Sequence, residues 1–195
     1  FYDVTGGRIT LDGIDIRELS QKKLRDSLGY VPQKGVLFSG TIRSNLKFGG
    51  DEISDEDMKY AAEIAQASDF IEAKPSKFES PVSQDGTNVS GGQRQRLSIA
   101  RAIAKKPKVF LFDDSFSALD YKTDAALRHA LDEHIGEATK LIVAQRISSI
   151  MHADRIVVLD QGAIVGIGTH EELMDSCASY REIAESQMGG MADAG

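Results

Sequence analysis

The chain has 195 residues, which is enough for one domain with a sizeable core. Its 41% hydrophobic and 27% charged residues are ordinary for a globular protein. The formal net charge of −7 argues against nonspecific nucleic-acid binding, which requires a basic surface, so we expect no nucleic-acid partner. The single cysteine, Cys177, excludes an internal disulfide framework. No apolar run approaches the roughly 20 residues of a membrane-spanning helix.

The first half of the chain contains clear signals for secondary structure. Asp12-Gly13 lies within alternating apolar and polar residues, a pattern typical of a hairpin with a tight turn. Ser20 is placed to cap a helix, and Ser54 and Asp57 make a second cap pair. In chain order we predict a hairpin over 8–17, a helix over 20–27, a strand over 28–32, a helical turn over 42–46, an acidic helix over 55–73 and a polar loop over 74–89.

The second half alternates helices with strands, which implies an α/β fold with a mainly parallel sheet. A long helix is predicted from Ser90 to about Ala104, ending before Pro107. The four apolar residues Val109-Phe110-Leu111-Phe112 predict a strand buried on both faces. The further predictions are a helix over 121–135, a strand over 141–144, a helix to about 151, strands over 156–159 and 163–167, and a last helix opened by a capping box at 169–172.

Two segments of the second half combine residues suited to binding an anion and a metal ion. Ser90-Gly91-Gly92-Gln93 opens the long helix, where paired glycines let a ligand approach backbone amides at the positive end of the helix dipole. Arg94 and Arg96 add positive charge nearby. Asp113 and Asp114 follow the apolar strand, at the edge where open α/β sheets bind ligands. Taken alone, the first segment is also explained as a well-formed helix start that binds no ligand. The second is also explained as a solvated strand end.

Together these two segments resemble the signature motif and the Walker B strand of the nucleotide-binding domain of an ATP-binding-cassette (ABC) transporter of the exporter type. Gln33 and the apolar residues after it resemble the Q-loop of that family. Ser117-Ala118-Leu119-Asp120 resembles the D-loop, and the segment from Leu141 to Ile147 resembles the switch segment. The resemblance covers residues 1 to about 187, in the order of the family's motifs.

The resemblance implies the architecture and the surroundings of the chain. It implies a P-loop NTPase-like α/β fold, with a mainly parallel sheet flanked by helices and a helical subdomain over about 41–106. The partial nucleotide-binding domain would span 1–188, followed by a disordered tail over 189–195. The implied partners are a second nucleotide-binding domain, in a different subunit, and a transmembrane domain that contacts the segment from Gln33 to Ile42. The domain would lie at the cytoplasmic face of a membrane and would not itself bind the transported substrate.

The resemblance also implies ATP and Mg²⁺ as ligands and a role for each motif. Asp113 and Gln33 would hold Mg²⁺, and Gln33 and Asp120 would lie at the nucleotide. The signature, comprising Ser90, Gly91, Gly92 and Gln93, would grip the γ-phosphate of an ATP bound mainly by the partner domain.

Two catalytic positions depart from the family pattern. Asp114 stands where the family has a glutamate that activates water, and Gln145 stands where it has a histidine. Aspartate is one methylene shorter, and general-base catalysis fails with small displacements. Glutamine can donate a hydrogen bond but cannot carry a proton. We therefore expect an ATPase domain that hydrolyses ATP poorly at its own site and completes its partner's site with an intact signature.

A P-loop, Gly-x-x-x-x-Gly-Lys-Ser/Thr, does not occur in the sequence. Residues 1–5 resemble the segment that follows the P-loop helix in exporters, so we expect the P-loop and the N-terminal strands to precede the chain. Without them the chain alone would be inactive and would expose an apolar gap where a central strand belongs. Three alternatives stay open: a non-catalytic regulatory or assembly module, an ABC ATPase acting on DNA or ribosomes, and an importer ATPase.

Overall fold

The computed structural model describes residues 2–50 and 52–192. Its strands are β1 (Thr10–Leu11), β2 (Ile14–Asp15), β3 (Leu28–Val31), β4 (Gly40–Thr41), β5 (Pro81–Val82), β6 (Val109–Asp113), β7 (Thr139–Val143), β8 (Ile156–Asp160) and β9 (Ala163–Gly168). Its helices are α1 (Gln21–Ser27), α2 (Ile42–Leu46), α3 (Asp55–Ile64), α4 (Ser68–Glu72), α5 (Gly91–Ala104), α6 (Tyr121–His134), α7 (His170–Ser176) and α8 (Ala178–Ala192). Among these helices, none combines the length and apolar character needed to cross a membrane.

The site is organised by a three-stranded parallel sheet in the order β3-β6-β7. The register pairs Tyr30 with Leu111 and Leu111 with Leu141, so the strands are aligned along their length. Because all three strands run in the same direction, the segments that follow them begin at one edge of the sheet. The predicted α/β fold with a parallel sheet is confirmed.

The sheet is covered fully on one face only. Phe110 and Phe112 are each 1% exposed and stack with their ring centroids 5.7 Å apart. On the opposite face Leu111 is half-buried, and Leu141 and Val143 are largely exposed. The prediction of a strand buried on both faces is therefore wrong for the described residues, because helices cover only the phenylalanine face.

The β8–β9 hairpin forms a second unit with α7 and α8. Its small core includes Ile156, Leu173 and Tyr180. Among the described residues, β7 pairs only with β6 and β8 pairs only with β9. Large exposed apolar side chains are concentrated on β7 and this hairpin: Leu141, Val143, Val157, Leu159, Ile164, Val165 and Ile167.

The helical part differs in detail from the prediction over 55–89. The predicted acidic helix over 55–73 is divided into α3 and α4, because Gln66 adopts a positive φ of 55°, which ends a helix. The predicted loop over 74–89 contains β5, which pairs with β4. The Ser54 and Ser20 caps are confirmed, each accepting a hydrogen bond from the backbone N–H three residues on.

One prediction near the C-terminus also needs revision. The predicted helix to about 151 is a short 3-10 turn, Ile147–Ser149. The backbone of α8 continues to Ala192, past the predicted domain end at residue 188. The predictions for Phe1 and for residues 193–195 lie outside the described residues.

The loop after β3 is held by a buried asparagine. The Asn45 side chain, 1% exposed, accepts from the Phe38 backbone N–H at 2.9 Å and donates to the Phe38 carbonyl at 2.8 Å. Arg101 Nη2 donates to Asn45 Oδ1 at 2.7 Å, and its Nη1 donates to the Val36 carbonyl. Burial lowers the pKa of Arg101 to about 10, so the guanidinium remains charged at neutral pH.

We expect Asn45→Ala to destabilise the fold by about 1–3 kcal/mol, because it removes the side chain that pairs with the Phe38 N–H and carbonyl and that accepts from Arg101 Nη2. Urea unfolding measures this change. Ser39→Ala, at an exposed position of the same loop, is the matched control and should change stability by less than about 0.5 kcal/mol. Equal stability of the two variants would contradict the role given to Asn45.

Candidate nucleotide site

The edge of the parallel sheet brings together one carboxylate and two amides. Gln33, Asp114 and Gln145 follow β3, β6 and β7 respectively. Gln33 Nε2 donates to Asp114 Oδ2 at 3.1 Å, and Gln145 Nε2 donates to the same oxygen at 3.2 Å. Asp114 is 9% exposed, has a positive φ of 44°, and donates its backbone N–H to the Val143 carbonyl. The carboxylate is therefore fixed from both sides.

Asp113, the neighbouring carboxylate, has a different partner. Tyr30 Oη donates to Asp113 Oδ2 at 3.2 Å. Burial of the hydroxyl, and then this hydrogen bond, raise the pKa of Tyr30, so Tyr30 acts as a neutral donor at pH 7. Tyr30 was not predicted from the sequence as a site residue. Its signal is its place on β3, two residues before Pro32, next to the strand that ends in Asp113.

The residues at this edge fit a magnesium ion shared with a phosphate. Mg²⁺ is usually held by one or two carboxylates together with phosphate oxygens and water. The described ranges contain no group of three or more His, Cys, Asp or Glu side chains placed to hold a metal by themselves. Asp113 and the amide oxygen of Gln33 would make an incomplete protein ligand set of this kind, which phosphate oxygens and water would complete.

The start of α5 has the form of a capped helix with open first-turn amides. Ser90 Oγ accepts from the Gln93 N–H at 3.2 Å, and Gln93 Oε1 accepts from the Ser90 N–H at 3.2 Å. A Cβ on Gly91 would meet nothing within 4 Å, whereas a Cβ on Gly92 would lie 3.5 Å from the Ala118 carbonyl oxygen. The first amides of a helix have no intrahelical acceptor, so this end of α5 can receive an anion.

The two arginines of α5 have structural partners. Arg94 Nη1 donates to the Asp85 carbonyl at 3.2 Å. Arg96 Nη1 donates to the Gln66 carbonyl at 2.6 Å, and its guanidinium lies 4.8 Å from the centroid of the Phe70 ring. Burial lowers the pKa of Arg96. These contacts connect α5 to the segments around it. Both guanidinium groups, which the sequence suggested as positive charge near an anion, donate to backbone carbonyls of the protein.

Gln95, between those arginines, was missed by the sequence analysis. Its side chain is 1% exposed and accepts from the Gly35 N–H at 2.8 Å while donating to the Pro32 carbonyl at 3.0 Å. These two backbone groups flank Gln33, so Gln95 connects the signature helix to the loop that reaches Asp114. A signal was present, since Gln95 shares the buried face of α5 with Ile99.

The D-loop is linked to the switch segment by an arginine. Arg146 Nη2 donates to the Ser117 carbonyl at 3.1 Å, and the Arg146 guanidinium lies 5.1 Å from the centroid of the Tyr121 ring. Asp120 instead caps α6, accepting from the Thr123 N–H at 2.9 Å and the Thr123 hydroxyl at 2.8 Å. The Thr123 backbone hydrogen bond is the largest cause of a lowered pKa at Asp120. In this structure the Asp120 carboxylate therefore caps α6, and its predicted place at the nucleotide stays a prediction.

Comparison with known proteins gives the same family from sequence and from structure. The ABC transporter family matches residues 1–117. An uncharacterized ABC transporter ATP-binding protein of Mycobacterium bovis is 46% identical over 95% of this chain and 32% of its own length. A putative multidrug export ATP-binding/permease protein of Bacillus subtilis is 43% identical over 94% of this chain and 32% of its own length.

A solved structure described as a bacterial Atm1-family ABC exporter with ATP bound superposes with a TM-score of 0.92 at 38% identity. It covers 96% of this chain and 33% of the exporter chain. The present chain thus spans about a third of the length of the curated relatives it matches. With its parallel sheet and its motifs in order, the chain belongs to the ABC transporter family and has the ATPase fold of an ABC exporter.

Proposed function

We propose that the chain is the ATP-binding part of an ABC exporter whose own site retains ATP and hydrolyses it poorly. The observation that carries this proposal is the pair of amide donors on Asp114 Oδ2. The names of the relatives, which include multidrug export ATP-binding/permease proteins, support the exporter assignment. The domain would lie at the cytoplasmic face of the membrane, and the permease part would bind the transported substrate.

The geometry at Asp114 disfavours rapid hydrolysis. A general base must reach the attacking water within hydrogen-bond distance. Asp114 Oδ2 already accepts hydrogen bonds from Gln33 and Gln145, so one oxygen of the short carboxylate is occupied by protein donors. Gln145 has no titratable group to relay a proton. The site therefore lacks both a well-placed base and a proton carrier.

The same residues are suited to holding a nucleotide. Asp113 and Gln33 would bind Mg²⁺. The bound ion would neutralise part of the negative charge on the phosphates. Tyr30 fixes the Asp113 carboxylate through its 3.2 Å hydrogen bond. The Gln145 amide has a second N–H, which could donate to a terminal phosphate oxygen while the first stays on Asp114. Retention of ATP requires these contacts and no proton transfer.

Among the described residues, one edge of β7 has no paired strand. We propose that an additional strand pairs with the open edge of β7 and covers Leu141 and Val143. Such a strand would end at the same sheet edge as Gln33 and Asp114, where a following loop could enclose the phosphates. The exposed apolar side chains of the β8–β9 hairpin offer a second surface for it.

The signature would serve a second nucleotide-binding domain, in a different subunit. Ser90 and Gln93 complete each other's hydrogen bonds, and a Cβ added at Gly91 would meet nothing within 4 Å, so a ligand has room at the helix start. This arrangement suits the γ-phosphate of an ATP held mainly by the partner. Hydrolysis at that completed site would supply most of the turnover of the transporter.

An exposed aromatic pair is suited to contact the permease part. Phe38 and Phe48 stack with centroids 4.3 Å apart, and they are 40% and 62% exposed. The Arg101 guanidinium lies 5.1 Å and 5.7 Å from their ring centroids. Phe38 belongs to the segment from Gln33 to Ile42, so a contact here is continuous with the Asp114 site. Phe48 lies outside the segment predicted from the sequence, and it joins this surface because its ring stacks on Phe38.

We expect Asp114→Glu combined with Gln145→His to raise ATP turnover roughly 10- to 100-fold at this site, because the two changes restore a base and a proton carrier. The measurement is ATPase activity of the full transporter in which the partner's own site has been inactivated. Unchanged activity in an assembled complex that still binds ATP would contradict the impaired-site proposal. It would favour the regulatory-module alternative.

Ser90→Ala should lower turnover at the partner's site by on the order of 10-fold, because it removes a group that would bind the transferring phosphate. Ser54→Ala is the matched control, since Ser54 caps α3 with the same geometry. Both variants lose about 1 kcal/mol of capping energy. Equal ATPase activities for the two variants would leave only a capping role for Ser90.

Phe48→Ala should reduce transport several-fold while ATP binding remains as in the unmodified transporter. The substitution removes an exposed aromatic anchor of the type that dominates interfaces, at a cost of about 2 kcal/mol. Ile183→Ala, which truncates an exposed apolar residue on α8, is the control. Normal transport by the Phe48 variant would exclude the aromatic pair from the permease contact.

A further inference from the structure

The C-terminal helix α8 holds the backbone of the switch segment through one side chain. Gln187 Oε1 accepts from the Ile147 N–H at 2.9 Å, and Gln187 Nε2 donates to the Gln145 carbonyl at 2.7 Å. Both ends of the three-residue segment 145–147 are therefore fixed by the same amide. Gln187 is 40 residues away from Ile147 in sequence.

This contact provides an acceptor for the Ile147 N–H, at the start of a helical turn that has no local cap. Ile147 begins a 3-10 turn, whose first N–H has no acceptor within the turn. Arg146, at the N-cap position of that turn, makes no side-chain capping hydrogen bond. Gln187 supplies the missing acceptor from another element.

The held segment reaches two parts of the nucleotide site. The Gln145 side chain donates to Asp114 Oδ2 at 3.2 Å. The Arg146 side chain donates to the Ser117 carbonyl in the D-loop. Ile147 is 5% exposed and packs into the core that includes Tyr180 of α8. A shift of α8 would therefore move the groups that contact Asp114 and the D-loop.

We propose that Gln187 is a positioning residue that sets the placement of Gln145 and thereby couples α8 to nucleotide retention at this site. The consequence for ATP rests on the proposed function, whereas the clamp on 145–147 stands on the two hydrogen bonds. Gln95 provides a parallel, since its amide holds the backbone on both sides of Gln33, the other donor to Asp114. Gln33 and Gln145, the two donors to Asp114, thus each lie in a backbone segment that the side chain of another glutamine holds.

The test uses the full transporter with the partner's own site inactivated and compares Gln187→Ala, Gln187→Glu and Glu185→Ala. Gln187→Ala removes both hydrogen bonds. Gln187→Glu keeps an acceptor for the Ile147 N–H and loses the donor to Gln145. Glu185 is exposed on the same helix and is the control. The two readouts are backbone amide exchange at 145–149 and the release rate of radiolabelled ATP.

We expect Gln187→Ala to increase exchange at Ile147 by about 10-fold and to speed ATP release several-fold, with exchange in α7 and the β8–β9 hairpin unchanged. Gln187→Glu should keep Ile147 protected and still speed ATP release, because Gln145 is no longer held. Glu185→Ala should match the unmodified transporter in both readouts.

Unchanged exchange at Ile147 and unchanged ATP release in Gln187→Ala would overturn the proposal. A uniform rise in exchange through α7, α8 and the hairpin would overturn it too, since that result describes a general structural contact. These outcomes are separate from failure of the proposed function. If Asp114→Glu with Gln145→His left turnover unchanged, the exchange at Ile147 would still report on the clamp.

Discussion

The arrangement of the site depends on the parallel pairing of β3, β6 and β7. Because these strands share one direction and a common register, the residues that follow them meet at one edge. Asp114 lies at the centre of that edge, and its Oδ2 accepts from Gln33 on one side and Gln145 on the other. A different strand order would separate these three side chains and leave no site.

The helical part and the C-terminal unit support this edge from outside. Gln95 connects α5 to the loop that carries Gln33, and Gln187 connects α8 to the segment that carries Gln145. The buried pair of Asn45 and Arg101 shapes the exposed loop where the Phe38 ring lies. Changes in α5 or in α8 thus each have a short path to Asp114, through Gln95 and Gln187.

Much of this arrangement could be predicted from the sequence. Local signals placed the caps at Ser20, Ser54 and Ser90, and the alternation of elements placed the parallel sheet, because both depend on nearby residues. The break at Gln66 was missed, since a left-handed backbone conformation at a glutamine has no sequence signature. Gln187 was missed for a different reason: its partners are distant backbone groups, and only the tertiary fold brings them to it.

We propose above that this site holds ATP without turning it over. The most direct measurement is the chemical state of radiolabelled nucleotide trapped at this site in the full transporter, with the partner's own site inactivated. We expect the trapped nucleotide to be recovered as ATP after incubation long enough for many turnovers of the unmodified transporter. Recovery as ADP, formed at the rate of the partner's site, would mean that this site turns ATP over and is not impaired.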